Sequence, residues 1–490
     1  MDTRLQEGDA AARRKGQAEP PLYAPRVRVY PRAVAGRWRR IKWAALVLLL
    51  GLYYIVPWLR WDRGPGAPDQ AILIDLDGRR GWFFDTVIWP QEVYFVTGFL
   101  ILAAFGLFFA TALFGRVWCG FACPQTVWTD LFMLVERLIE GDRNERMRAD
   151  RAPLSAAKVL RKGLKHAAWI VIAAATGGAW VFYYVDAPST LVKIFRGEAS
   201  LEVYVFVGLL TATTYTLAGW AREQVCTYMC PWPRFQAAML DEQSVIVTYQ
   251  KWRGEPRGKH KVGDSWTGRG DCVDCGLCIA VCPTGIDIRD GQQIECIGCG
   301  LCVDACTQTM DKVGRPLGLI RWDTLADQQS LERQAGSVAW QPVRPRTLLY
   351  AALLGAAGLA MLVAFALRSD TELTVQRDRS PNFVRLSGGD IRNSYTVKIL
   401  NKRRTGQQLH LAVEGLPAAT LGFVGTDIEG SGTAQRLLAH PDSVATFRVF
   451  LTVPPSAAPS GSAPSEFVVE DASGRRTASH DAVFVGPTRP

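Results

Sequence analysis

Two stretches of this sequence each carry four cysteines at a spacing suited to iron and sulfur. CVDCGLCIAVCP places Cys272, Cys275, Cys278 and Cys282 ahead of Pro283, and CIGCGLCVDACT places Cys296, Cys299, Cys302 and Cys306 ahead of Thr307. Both follow the bacterial ferredoxin run Cys-x-x-Cys-x-x-Cys-x-x-x-Cys, in which the fourth cysteine serves the cluster of the other run. Three closely spaced thiolates can wrap three irons of a cubane within one tight loop. Gly276, Gly298 and Gly300 let backbone amides approach the sulfides. The expected ligand sets are Cys272, Cys275, Cys278 and Cys306 for one 4Fe–4S cluster, and Cys296, Cys299, Cys302 and Cys282 for the second. Structural zinc is the competing reading, but it uses two Cys-x-x-Cys pairs or Cys/His mixtures. Two full runs in tandem argue against it, and two neighbouring clusters make a one-electron relay.

Four further cysteines come as two pairs. RVWCGFACPQTVWTDLF sets Cys119 and Cys123 before Pro124, and VCTYMCPWPRF sets Cys226 and Cys230 before Pro231. On a helical backbone, cysteines four apart share a face, and the proline ends the helix just after them. Each pair would present two thiols in one direction where an apolar run stops. Soft thiolates favour Cu(I) and iron–sulfur centres. Plain buried thiols, a redox disulfide within each pair and a third iron–sulfur cluster remain as alternatives. Recurrence at one topological position beside a relay favours a metal or redox role. His166 could join such a site, although a helix-end or headgroup-facing role suits it better. His410, His440 and His480 have no ligand spacing. Trp118 and Trp128 read as interfacial tryptophans.

These thiols need elements to place them. The chain has 490 residues and a net charge of +10, too long for one ordinary domain. Long apolar blocks alternate with basic ones, the pattern of a membrane protein with soluble appendages. Five runs are long enough to span a bilayer, at roughly 43–59, 93–114, 167–185, 202–221 and 348–367. Arg26 to Lys42 before the first span, and Arg143 to Lys165 between the second and third, hold the concentrated positive charge. Positive charge stays in the cytoplasm, so the N-terminus is expected inside and the segment after 368 outside. All twelve cysteines then lie on or near the cytoplasmic side, the reverse of a secreted disulfide scaffold. The first apolar run begins after about forty polar residues, so it reads as a retained helix and not as a signal peptide.

The expected organisation follows. Residues 1–40 form a basic, disordered cytoplasmic tail. Residues 41–240 hold four membrane helices and both cysteine pairs, and an exported aromatic loop at 60–92 suits the membrane interface. After Pro124, Val127, Leu131, Val135 and Leu138 recur at helical spacing, which predicts a helix along the membrane surface. The stretch after Pro231 could repeat it. Residues 241–347 form a cytoplasmic ferredoxin-like domain and 348–367 a fifth membrane helix. In 368–490, SYTVKILNK, QQLHLAVEG, ATFRVFLTV and EFVVED alternate between turns, predicting about seven strands of an immunoglobulin-like sandwich. The fold class is thus a multi-domain membrane protein: a bundle of about five α-helices, a two-cluster ferredoxin domain and an all-β sandwich.

With these motifs in order, the chain resembles the FixG/RdxA/CcoG family, bacterial cytochrome oxidase accessory proteins. The resemblance runs from about residue 25 to the end. It rests on PWLRWDRGPGAPDQAILIDL, on both cysteine-pair segments, on RGEPRG, on the ferredoxin block, on MDKVGRPLGLIR, and on YTVKILNK with LAVEGLP. It implies a multi-pass inner-membrane protein with two 4Fe–4S clusters, held by the eight cysteines assigned above. It also implies a cupric reductase that delivers Cu(I) for a C-family haem–copper oxidase, with oxidase assembly factors and a copper-transporting P-type ATPase as partners. Carried over to this chain, copper would meet Cys119, Cys123, Cys226 and Cys230. Spacing alone says only "soft metal or redox pair". Two other functions compete: a quinol-linked electron-transfer subunit, and a non-enzymatic assembly scaffold. No Gly-x-Gly-x-x-Gly stretch follows a strand, so the electron donor is not identified. No nucleic-acid partner is expected.

Overall fold

The computed structural model describes residues 28–64, 66–260, 265–424, 428–429 and 436–487. The chain divides into two compact units, one up to Leu359 and one from Ala360. Among the described residues, five helices are long and apolar enough to cross a membrane: Arg37–Trp58, Pro90–Phe114, Ala156–Val181, Leu201–Ala221 and Pro345–Ala366.

The third of these begins eleven residues before the expected boundary of 167. Ser155 caps it, its side chain accepting from the Lys158 amide at 3.3 Å. The basic residues expected in a loop therefore ride on its first turns, where Lys162 and Lys165 reach Asp150 and Glu140 at 2.7 and 3.1 Å. Gly115, at φ +61, ends the second span and turns the chain into the first cysteine pair. A side chain there would press the Val245 carbonyl at 2.8 Å.

The expected tail lies outside the described residues as far as 27. Residues 28–36, assigned to it from composition, form no regular element but are held in place instead. Tyr30 donates to Asp150 at 2.7 Å, and Arg146 donates to the Pro31 carbonyl at 2.6 Å. The Arg32 amide donates to the Ala280 carbonyl at 2.7 Å. The first helix then opens under a cap borrowed from the ferredoxin segment. Asp304 accepts from the amides of Trp38 and Arg39 at 3.2 and 2.8 Å.

The helix after the first pair covers Pro124–Glu140, with Pro124 in its first turn. Its inward face carries charge, which its apolar spacing did not suggest. Asp130 meets Arg39 at 2.8 Å, and Glu136 meets Arg146 and Arg222 at 2.7 and 2.8 Å. All five side chains are buried, and buried charges persist only when paired in this way. Trp128 also turns inward, donating to Thr176 at 3.0 Å, whereas Trp118 stays exposed. The second copy is shorter, Trp232–Met239. The loop at 60–92 contains a three-stranded antiparallel sheet, Ile72–Asp75, Arg80–Phe83 and Thr86–Ile88.

The second unit is a sandwich of two five-stranded sheets among the described residues, more strands than expected because short edge strands such as Val384–Arg385 add to the long ones. Ile391–Asn401 pairs along its whole length with Ser443–Val453. Alternate residues point inward: Tyr395, Val397 and Ile399 from one strand, Phe447, Val449 and Leu451 from its neighbour, and Phe467 and Phe484 from the facing sheet. Each such side chain contributes about 1.5–3 kcal/mol through burial. Tyr395 keeps its hydroxyl satisfied on the Val483 carbonyl at 3.0 Å.

Candidate redox centre

The ferredoxin segment is clamped at its two ends by a short antiparallel pair, Ile246–Tyr249 with Ile320–Asp323. Between them the two cysteine runs fold alike. Gly276 and Gly300 occupy the left-handed region at φ +65 and +71, and so do Asp274 and Gly298 two residues before them at φ +50 and +65. Aspartate tolerates that conformation better than most residues. The loop following each first cysteine is therefore the same loop twice, with its amides turned inward.

Each loop encloses a small void. One is lined by Cys272, Cys275, Cys278 and Cys306. The other is lined by Cys282, Cys296, Cys299 and Cys302, with Cys278 on the wall between the two. The fourth cysteine of each run thus faces the void of the other. Among the described residues, no three His, Cys, Asp or Glu side chains close on a single point as a mononuclear ion requires. Thiols spread around a void fit a cubane, whose irons lie apart. The donor set and the space agree with an iron–sulfur group at each position.

The cysteine pairs do not lie on ordinary α-helix. Trp118–Ala122 and Val225–Met229 are π-turns, closed by the Cys123 amide on the Trp118 carbonyl and by the Cys230 amide on the Val225 carbonyl, both at 2.8 Å. Such wide turns are rare and gather at functional sites. Cys123 and Cys230 are the extended residues that end the turns. The first turn is pressed against the second cluster loop. A Cβ on Gly120 would stand 2.5 Å from the Gly298 carbonyl oxygen and 3.0 Å from that of Ile297. Cys119 and Cys226 pack in one cluster with Cys299, Ile297 and Leu301.

Burial raises the thiols. Cys119 is pushed up to about 11 and Cys226 to about 12, the neighbouring cysteines adding to the effect and Arg116 opposing it. Cys296 and Cys306 are likewise pushed up to about 12 by burial. Without metal these groups are protonated, so loading them displaces protons. Two residues that spacing does not single out hold the pair in place. The Cys119 thiol donates to Gln236 Oε1 at 3.0 Å, and Gln236 donates onward to Thr111 at 3.3 Å. Arg116 donates to the same Gln236 oxygen at 3.4 Å and to the Ile294 carbonyl. His166 does not join the pairs; it shares a 2.9 Å hydrogen bond with Tyr215.

Comparison with known proteins gives the same division. Residues 221–325 match the 4Fe–4S dicluster domain, residues 96–140 a 4Fe–4S binding domain, and residues 361–487 the IG-like fold at the C-terminus of FixG. The chain is 47% identical over 471 residues to the nitrogen fixation protein FixG of Rhizobium meliloti, covering 91% of this chain and 89% of that one. It is 52% identical over 414 residues to protein RdxB of Cereibacter sphaeroides, covering 82% and 87%. It is 48% identical over 462 residues to protein RdxA of the same organism, covering 93% and 96%.

Proposed function

The chain belongs to the FixG and RdxA family of membrane iron–sulfur proteins, and from that premise we propose that it is a cupric reductase. Cys272, Cys275, Cys278 and Cys306 hold one 4Fe–4S cluster, and Cys296, Cys299, Cys302 and Cys282 the other. Bound there, the clusters supply one-electron transfer. The substrate Cu(II) draws together Cys119, Cys123, Cys226 and Cys230, which do not converge on one point without it, gains one electron and leaves as Cu(I). The observation that carries this reading is the contact of Gly120 with the Gly298 carbonyl, which sets the first pair directly on the loop of the second cluster. Thiolates favour Cu(I) over Cu(II) and so assist the reduction. Cys123 and Cys230 are the more exposed members of their pairs, the ones an incoming ion meets first, while the Cys119 thiol donates to Gln236.

The basic flanks of the first and third spans support a topology with the clusters and pairs on the cytoplasmic side and the sandwich in the periplasm. The Cu(I) product serves a C-family haem–copper oxidase, handed on through a copper-transporting P-type ATPase and assembly factors. A second reading has its own support: the 4Fe–4S binding domain match at 96–140 includes Cys119 and Cys123, which favours a third cluster at the pairs. One experiment separates the two. Anaerobic protein with reduced clusters is mixed with Cu(II), Cu(I) is trapped by a chelator, and Cys119→Ser/Cys226→Ser is compared. Loss of Cu(I) with iron content and EPR unchanged supports the reductase. Loss of iron supports the third cluster, and an unchanged rate removes the pairs from the copper site.

A further inference from the structure

A cavity of about 600 Å³ lies between the third and fourth membrane helices, at the end where both carry their polar residues. That is the size range of small-molecule sites. His166 and Trp169 line it from one helix, Tyr215 and Trp220 from the other, with Arg28 and Asp150 at its rim.

Three features narrow the ligand. First, the cations around it already have acids. Arg28 and Lys162 meet Asp150 at 2.8 and 2.7 Å, Lys165 meets Glu140 at 3.1 Å, and Arg222 meets Glu136 at 2.8 Å. An anionic headgroup would have to displace these partners, so the cavity suits a neutral molecule. Second, its walls are aromatic. The Trp169 ring lies 6.4 Å from Tyr215 and 5.2 Å from His166, centroid to centroid, and Trp220 stands exposed. Third, the polar pair His166–Tyr215 is a hydrogen-bonding handle for a ring hydroxyl.

The cavity is also joined to the redox centre. Tyr215 opens a π-helical segment, Tyr215–Ala221, the same kind of distortion that carries the thiols. The Gln125 side-chain amide, two residues beyond Cys123, donates to the carbonyls of Leu217 and Arg222 at 2.8 and 3.2 Å. Arg222 precedes Cys226 by four residues. The cavity wall and both thiol turns form one hydrogen-bonded body.

We propose that this cavity is where electrons enter the protein, and that its ligand is a membrane quinol seated with one ring hydroxyl on the His166–Tyr215 pair. Both O–H bonds of the quinol break. The His166 imidazole accepts each proton in turn and releases it to water at the basic end of the cavity. Two electrons pass singly to the chain's iron–sulfur relay, the quinol leaves as quinone, and two Cu(II) become two Cu(I). Only the final acceptor rests on the reductase reading.

The test uses full-length protein in detergent without copper. Decylubiquinone is titrated while tryptophan fluorescence is followed, and decylubiquinol is then added anaerobically to oxidised protein while the iron–sulfur absorbance is read. Saturable quenching and bleaching of the absorbance are expected. His166→Leu and Tyr215→Phe should each weaken binding about tenfold, the effect of losing one hydrogen bond, and His166→Leu should abolish bleaching, with iron content unchanged in both. Quenching that never saturates, or equal affinity in the variants, overturns the proposal. Displacement of the quinone by cardiolipin vesicles makes the cavity a lipid seat and also overturns it. Quinone binding without bleaching by quinol removes the electron-input role. No copper is present, so failure here leaves the cupric reductase reading standing, and failure of that reading leaves this one measurable.

Discussion

Replacing Gly120 by alanine adds one methyl group at the contact between the first cysteine pair and the second cluster loop. The atoms it meets are the Gly298 carbonyl oxygen at 2.5 Å, the Gly298 carbonyl carbon at 2.9 Å and the Ile297 oxygen at 3.0 Å. All are backbone, so no side chain can rotate away. Ordinary contact begins at 3.4 Å, so the two loops must part by 3.4 − 2.5 = 0.9 Å at the tightest point. Overpacking of this kind costs about 1–3 kcal/mol. The displaced loop carries Cys296 and Cys299, and metal–ligand distances tolerate only about 0.2 Å. The second cluster should therefore be lost or distorted while the first is kept, and the iron carried per chain should fall by about half. Iron analysis with EPR of the reduced, anaerobically purified variant reads this directly. Gly163→Ala, at a position with nothing within 4 Å, is the control and should retain both signals. Full iron and two unshifted signals in Gly120→Ala would refute the claim that the pair sits on the cluster loop.

Three further outcomes are expected. Cys282→Ser should damage the cluster held by Cys296, Cys299 and Cys302 while the other survives in EPR; selective loss of the first cluster instead would show that each run wraps its own cubane. Glu136→Gln should destabilise the membrane unit by about 3–5 kcal/mol at neutral pH, because Arg146 and Arg222 would remain buried without a counter-charge. Burial alone would raise the Glu136 carboxyl, but Arg222, Arg146 and Lys165 outweigh it and hold it below its ordinary 4.5. Its stabilisation is then complete above about pH 4.5 and is lost as pH falls through the depressed value; thermal unfolding between pH 7 and 3 should show this loss in the parent and not in the variant. A reporter fused after residue 370 should be active only in the periplasm and one near 310 only in the cytoplasm, and a cytoplasmic signal from the first would reverse the topology.

Much of this architecture can be read from the chain because its signals are local. Twenty apolar residues make a membrane helix whatever surrounds them, and alternation marked four of the sandwich strands by the very segments quoted, though not the ten-residue strand Arg476–Val485. The cysteine runs are legible because iron constrains their spacing. The buried ionic cluster around Glu136 was not legible. Its members come from residues 136, 146, 165 and 222, with the exposed Arg28 at its edge, and no local pattern shows that distant charges will meet. The π-turns escaped for a related reason: the cysteine spacing was read on regular helix, and the close approach of Gly120 to Gly298 comes from a distant part of the chain. Gln236 and Arg116 carry no spacing signal, and only the folded chain brings them to Cys119.

The cap that Asp304 places on the first membrane helix has a consequence for how this protein matures. The amides of Trp38 and Arg39 are satisfied only after the helix at Leu301–Lys312 has folded, and that helix starts beside Cys299 and carries Cys302 and Cys306. A newly inserted chain lacking its iron would leave the N-terminal end of the first helix uncapped, at a cost of about 1 kcal/mol. The stretch at 28–36 would lose its anchor on Ala280 at the same time. Iron starvation would then loosen the irregular stretch at 28–36, so that cleavage there by a housekeeping protease reports on cofactor supply.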